Sequence, residues 1–306
     1  MALNFDIDYV LPYVNGNDPV WAEQHKIIAA RYGRHETGGS TRYADFGYFR
    51  YLFRGLAENL PWLHQVHLIV EGPTQVPDWI DQEKVHIVYH SDFMPEGVLP
   101  TYNSQTIEMY LDRIPGLADH FIYANDDMYI LYPMRPEDFF TEEGFPRMTM
   151  DSFKVAKATT MFRKVCYNEW NQVHRVLARP CTDDIYMRPK HDPCPMNLYQ
   201  VRTIRKLLDP EIRPHLEPFR NEWQHNQYIY SMYAYATQQY GDSTREFKYI
   251  ENSHTPEEVA YYMLCGDYTE LCLNDVDSMM RSRWLIRNAV NLTFEKLFPN
   301  PCKYEK

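Results

Sequence analysis

The sequence predicts an α/β fold: a central, mostly parallel sheet flanked by helices, Rossmann-like, followed by a largely helical C-terminal half. Short apolar runs bounded by turn residues, FDIDYVLPYV (5–14), QVHLIVE (65–71), VHIVY (85–89) and FIYA (121–124), read as buried strands. Helical-period segments between them give the order strand, helix, strand, strand, helix, strand. A chain of 306 residues with 44% hydrophobic content can bury one large core. We divide this single domain into an α/β core (1–140), an insertion with helical character (141–250) and a segment returning to the core (251–306).

In the first strand Asp6 and Asp8 face one way, and Pro12 limits its inner end. Asn15-Gly16-Asn17-Asp18-Pro19 is a turn where a glycine lets backbone approach a phosphate or nucleotide, and Asp18 caps a helix starting at Pro19. An ordinary strand-turn-helix cap accounts for the same residues, and no G-x-G-x-x-G fingerprint is present. Residues 34–44, RHETGGSTRYA, predict a mobile surface loop. A helix over 45–60 buries Phe46, Phe49, Phe53, Leu56 and Leu60. Arg50 and Arg54 stand one turn apart beside that stripe and, with Arg42, can form a cationic wall for phosphate oxygens. A surface pair of Arg54 with Glu58 is the alternative.

The rest of the chain is organised around 99–127. Pro100 to Ser104 is a turn entering a helix capped by Asn103, with Ile107, Tyr110, Leu111 and Ile114 on one face, Glu108 off it, and a stop at Pro115-Gly116. The following strand delivers Asn125, Asp126 and Asp127 to the carboxyl edge of the sheet. Adjacent carboxylates repel and resist desolvation, so a divalent cation or a polar ligand explains them there; a solvated turn is the other reading. A helix N-terminus beside a cation suits a diphosphate, which makes Thr101, Asn103, Ser104 and Asn125 candidate substrate-binding residues.

Beyond 127 the chain is aromatic and broken by prolines to residue 140, and 145–165 predicts a hairpin or insertion. Prolines hold KHDPCP (190–195) extended, so His191 is displayed on a rigid segment, as a proton-transferring group must be; a satisfied structural histidine fits equally. Helices follow at 196–208 and 221–240, the second rich in tyrosine and preceded by Arg220. Thr255-Pro256-Glu257-Glu258 is a capping box. LCL (271–273) resembles a strand ending in Asn274-Asp275, a second acidic strand end before a last helix over 276–298.

The net charge of −11 argues against a general nucleic-acid or anionic-membrane binder. The 25 tyrosines point first to a core with hydroxyls at its edge, and also suit carbohydrate stacking. Met1 to Asp6 carries neither a basic leader nor a long apolar segment, and no stretch approaches the ~20 apolar residues of a membrane span. The six cysteines lack zinc spacing, His191 with Cys194 being a partial motif at most, and are expected as reduced thiols of a cytoplasmic protein. In that compartment the glycosylation triplet Asn291-Leu292-Thr293 carries no meaning.

Four segments resemble the Stealth family of sugar-phosphate transferases: IDYVLPYVNGNDPVW (7–21); RYADFGYFRYLFRGLAENLPWLHQVHLIVEG with LPTYNSQTIE and FIYANDD; the chain around HDPCP with FRNEWQ; and LCLNDVD with the Pro-x-x-Tyr-Glu that ends at Glu305. Tyr102 stands where the family often carries Phe. The resemblance implies a catalytic domain of glycosyltransferase-like fold that transfers a sugar 1-phosphate from a nucleotide-diphosphate sugar to a glycan hydroxyl with a divalent metal, magnesium or manganese. It implies the nucleotide-sugar donor in 1–140 and the acceptor side in 141–250, in a bacterial cytoplasmic protein, peripheral to the inner membrane at most. By the same resemblance Asn15, Gly16 and Asp18 form the nucleotide-proximal turn, and Arg42, Asp45, Arg50 and Arg54 the polar helix. Glu108, Asp126 and Asp127 become metal and phosphate-handling acids, His191 the base or a transient phosphoryl carrier, Arg220 a phosphate clamp, and Asn274 and Asp275 the second acidic edge. A metal-dependent glycosyltransferase attacking the anomeric carbon is the rival enzyme, and a catalytically silent glycan- or nucleotide-binding module the rival of another class.

Overall fold

The computed structural model describes residues 3–34, 43, 46–181, 184–251, 253–274 and 280–306, the side chains of 280–284 excepted. Strand β1 (Ile7–Pro12) leads through a turn to α1 (Pro19–Arg31), whose N-cap Asp18 accepts from Val20 N–H. Helix α2 (Phe49–Asn59) starts later than the sequence predicts; Asp45 lies outside the described residues. Strands β2 (Val66–Val70) and β3 (Val85–Tyr89) follow, then the single turns α3 (His90–Phe93) and α4 (Ser104–Glu108). The helix predicted to run on to residue 114 breaks after Glu108. Leu111–Arg113 forms a separate 3-10 turn, and Ile107, Tyr110, Leu111 and Ile114 are buried as a stripe all the same.

Strand β4 (His120–Tyr123) completes the parallel set, and β5 (Met128–Ile130) begins another sheet. The next region is a hairpin interrupted by a helix: after the short β6 (Arg147–Met148), β7 (Met150–Lys154) pairs antiparallel with β8 (Ile185–Pro189), and α5 (Met161–Val176) fills the connection. The window 145–165, expected as a hairpin or insertion, reaches only the first turn of that helix, whose buried stripe of Val165, Cys166, Glu169, Trp170 and Val173 packs on β8 and on the later helix Tyr228–Thr237. Strand β9 (Cys194–Asn197) precedes α6 (Leu198–Leu207) and the turn α7 (Asp209–Ile212). Helix α8 (Tyr228–Thr237) is shorter than predicted; β10 (Gly241–Asp242), β11 (Phe247–Ile250), α9 (Pro256–Leu264), β12 (Glu270–Leu273) and α10 (Met280–Leu297) complete the chain.

The central sheet has the order β3-β2-β1-β4-β9, parallel throughout except β9. Period-two alternation sends side chains to two cores. Tyr9, Leu11 and Ile122 join α2, β5, β12 and α10 on one side; Val10, Phe121 and Tyr123 join α5, α6 and α8 on the other. The chain winds outward from β1 to β3 and then crosses back to β4, so strand order reverses between β1 and β4, where a doubly wound sheet opens a ligand crevice at its carboxyl ends. Glu305 pairs with Ile80, and Tyr304 is buried beside Phe53.

Candidate active site

A cleft of about 1170 Å³ opens at that switch point. Tyr13 and Val14 after β1, Glu71 after β2, His90 after β3 and Asn125, Asp126 and Asp127 after β4 form its floor. Thr101 to Gln105 and Glu108 form one wall; Arg188, Lys190, His191, Arg220, Tyr228, Tyr249 and Asn274 reach it from the later segments.

Asp127 lies half-buried at the centre. Its Oδ1 is enclosed and has no hydrogen-bond partner, and burial pushes the carboxyl up to about 6 against hydrogen bonding from Cys272 and the field of Arg220. Ligand-type atoms of Asp127, His191 and Cys272 lie within 4.8 Å of one another. Three segments meet there: the end of β4, the proline-stiffened 190–195 and β12, which pairs with β5 so that Cys272 sits opposite Met128, next to Asp127. Burial, with Arg188 and Arg220, pushes His191 down to about 4, so the imidazole is neutral near pH 7. Its Nδ1 is 2.6 Å from the Tyr228 hydroxyl.

Glu108 was predicted with the metal acids and lines the cleft, but it does not join that set. Its Oε1 accepts from the Tyr123 hydroxyl at 3.1 Å and its Oε2 from Gln227 N–H at 2.8 Å. Burial raises its pKa while Arg220 and these hydrogen bonds lower it. Arg220 reaches the cleft with Nη2 2.6 Å from Ser104 Oγ. Asn103 caps α4 and donates from Nδ2 to Gln224 Oε1 at 2.8 Å, which ties the wall of the cleft to the segment before α8. A single buried knot sets the height of His191: Arg245 donates to Glu270, Asp192 and the Pro193 carbonyl.

Several expectations land elsewhere. Arg54 is engaged bidentately by Glu305 at 2.7 and 3.0 Å, with Arg50 at 3.4 Å, and neither lines the cleft. Their cationic wall faces the C-terminal segment, because the stripe of α2 turns that side of the helix toward residues 298–305. Asn15, Gly16 and Asp18 also stay off the cleft surface. Gln75 Oε1 accepts from Asn15 N–H, its amide donates to Asp18, and a Cβ on Gly16 would meet the Tyr43 carbonyl oxygen at 2.6 Å, so this glycine serves a chain crossing. The neighbours Val14 and Trp21 line the cleft instead. Arg42, Asp45 and Asp275 lie outside the described residues.

The sequence reading missed Cys272, Tyr228, Arg188 and Arg245 as parts of the site, since nothing local marks them. Glu71 and His90 had a signal: each directly follows an apolar strand, as Asp126 and Asp127 nearly do. None of the six cysteines forms a disulfide, and among the described residues no helix is long and apolar enough to cross a membrane.

The chain is similar in sequence to known proteins. Residues 42–148 match the family model described as Stealth protein CR2, conserved region 2, a span that carries Glu108, Asp126 and Asp127. The chain is 26% identical to the exopolysaccharide phosphotransferase cps2G of Lactiplantibacillus plantarum, over 99% of this chain and 97% of that one. It is 30% identical to the exopolysaccharide phosphotransferase SCO6023 of Streptomyces coelicolor over 89% of this chain and 48% of that one. It is 32% identical to the capsular polysaccharide phosphotransferase eps5J of Streptococcus thermophilus over 53% of this chain and 68% of that one. The chain thus spans nearly the whole of one relative and about half of another. With its central parallel sheet, its acidic β4 end and these relatives, the chain belongs to the Stealth family.

Proposed function

We propose that this protein transfers a sugar 1-phosphate from a nucleotide-diphosphate sugar to a hydroxyl of a glycan acceptor, forming a phosphodiester in capsular or exopolysaccharide synthesis. The observation that carries the reading is the convergence of an acid, a neutral imidazole and a guanidinium, Asp127, His191 and Arg220, in one cleft at the sheet's switch point. The enclosed, unpartnered Oδ1 of Asp127 fits a hard divalent ion, and Asp126 adds a second carboxylate beside it. When bound, magnesium or manganese would neutralise the donor's diphosphate oxygens. Arg220 takes up charge on the transferred phosphoryl group, held toward the cleft by Ser104. With Nδ1–H donating to the Tyr228 hydroxyl oxygen, His191 presents its Nε2 lone pair to the acceptor hydroxyl and removes its proton as oxygen attacks phosphorus and a nucleoside monophosphate leaves. Glu108 acts through others: it anchors Gln227 N–H beside Tyr228 and lies in the field of Arg220.

A donor labelled with heavy oxygen at the anomeric position tests this against glycosyl transfer. Attack at phosphorus leaves the bond from anomeric carbon to oxygen intact, so the label travels into a phosphodiester and nucleoside monophosphate is released. Label left on a released nucleoside diphosphate, beside a plain glycoside, would overturn the proposal.

A further inference from the structure

One part of the cleft is lined by buried polar atoms with no hydrogen-bond partner: His90 Nδ1, Thr101 Oγ1, Tyr102 Oη and Gln105 Oε1. Their residues are only 6%, 2%, 8% and 6% exposed. Polar atoms enclosed in this way carry a desolvation cost unless a ligand or water pairs them. The four belong together, because Val70 pairs with Tyr89 and so sets Glu71 beside His90 at the ends of β2 and β3, and the Tyr102 hydroxyl lies in the field of Glu71. Burial, then the Asp18 carboxylate, pushes Glu71 up to about 7, and burial keeps His90 neutral.

Among the described residues this part contains no Lys or Arg and has the carboxylates of Glu71 and Asp18 nearby, which disfavours phosphate there; the described cations that line the cleft, Arg163, Arg188, Lys190 and Arg220 among them, come from other segments. It offers neutral donors and acceptors, one acid and the aromatic faces of Trp21 and Tyr102, which are 5.4 Å apart and edge-on. An acid at the end of the second strand, next to the switch point, is placed to accept from ribose hydroxyls. We infer that this part is a ribonucleoside subsite: Glu71 accepts from the ribose hydroxyls, and Thr101, Tyr102, Gln105 and His90 pair with the polar edge of ribose and base. The inference rests on the nucleotide-sugar reading and gives the donor's nucleoside its place, with the phosphates directed toward Arg220 and Asp127.

Calorimetry with nucleoside 5′-monophosphates and their 2′-deoxy forms, and separately with sugar 1-phosphates, tests it without turnover. At least one ribonucleotide should bind more tightly than its deoxy form by roughly 10- to 100-fold, the range for a hydrogen bond to a charged group. Glu71→Gln should shrink that ratio and Thr101→Val should weaken both forms, while sugar 1-phosphate affinity stays unchanged; both substitutions conserve shape, and circular dichroism checks their folding. Equal binding of ribose and deoxyribose forms, or a Glu71→Gln effect on sugar 1-phosphate instead of nucleotide, would overturn the inference. If the ribonucleotide preference and its loss are seen but no donor releases nucleoside monophosphate, the subsite stands and the transfer reading falls.

Discussion

The hydroxyl of Tyr228 lies 2.6 Å from Nδ1 of His191, joining the first residue of α8 to the extended segment that displays the imidazole. The bond selects which ring nitrogen faces the acceptor, so a change at Tyr228 acts on catalysis through orientation. Tyr228→Phe is expected to lower kcat by up to roughly 10²-fold, the cost of a misplaced group, with KM for the donor little changed. Steady-state kinetics with a saturating acceptor read the split; a rise in donor KM at constant kcat would place Tyr228 in binding instead.

His191→Ala should reduce turnover by roughly 10² to 10⁴, the range for loss of a general base. Because burial and two arginines hold its pKa near 4, the imidazole is already deprotonated through the neutral range and loses its base function only as pH falls toward that value. The ratio of wild-type to variant turnover should therefore stay flat between about pH 5 and 8. An inflection near neutrality, lost in the variant, would show that the environment of His191 is more polar than the structure gives.

Replacing Asp127 by Asn should abolish activity and weaken manganese binding while leaving the melting temperature equal or higher. Burial already penalises this carboxylate, so neutralising it removes a cost to folding along with an anionic ligand. Paramagnetic resonance of manganese in the presence of donor, beside a thermal melt, checks both halves. Full turnover after verified metal removal would defeat the prediction.

Arg245 is 1% exposed at its side chain and bridges Glu270 at 2.6 Å and Asp192 at 3.2 Å, two residues from Cys272 and one from His191. Arg245→Met leaves two buried carboxyls unpaired and is expected to cost about 3–5 kcal/mol in urea unfolding. Arg245→Lys keeps the charge but lacks the fork that reaches three acceptors, so it should retain more stability than it retains kcat. Equal losses in both would mean that the knot serves the fold alone.

At the opposite end of the sheet Asp8 is buried, accepting from His67 Nε2 and Ala118 N–H at 2.8 Å and facing His64 Nδ1 at 2.8 Å. Burial opposes its charge, but these hydrogen bonds outweigh it and hold the carboxyl below its usual value. Its contribution is therefore complete above the ordinary carboxylate range and is lost as pH falls through the lower folded value. Asp8→Ala should destabilise by about 3–5 kcal/mol at neutral pH and by less in acid, read from urea midpoints at the two conditions.

By itself the sequence determined the parallel strands, the caps at Asp18, Asn103 and Thr255, and the acids at the end of β4. These rest on local physics: apolar runs, capping side chains and prolines act over a few residues. It also marked His191 and Arg220, which the structure brings to the cleft with Asp127. Only the tertiary structure decided which charges face that cleft. Arg50 and Arg54 look like phosphate ligands on a helical wheel, yet Glu305, some 250 positions away, takes them. Cys272 and Arg245 carry no local mark because their roles arise from the pairing of β5 with β12 and from a buried ion cluster between segments far apart in sequence. Helix α5 lies mostly beyond the window 145–165 read as a hairpin or insertion: its buried stripe of Val165, Cys166, Glu169, Trp170 and Val173 runs past that window and packs on α8, more than fifty residues later.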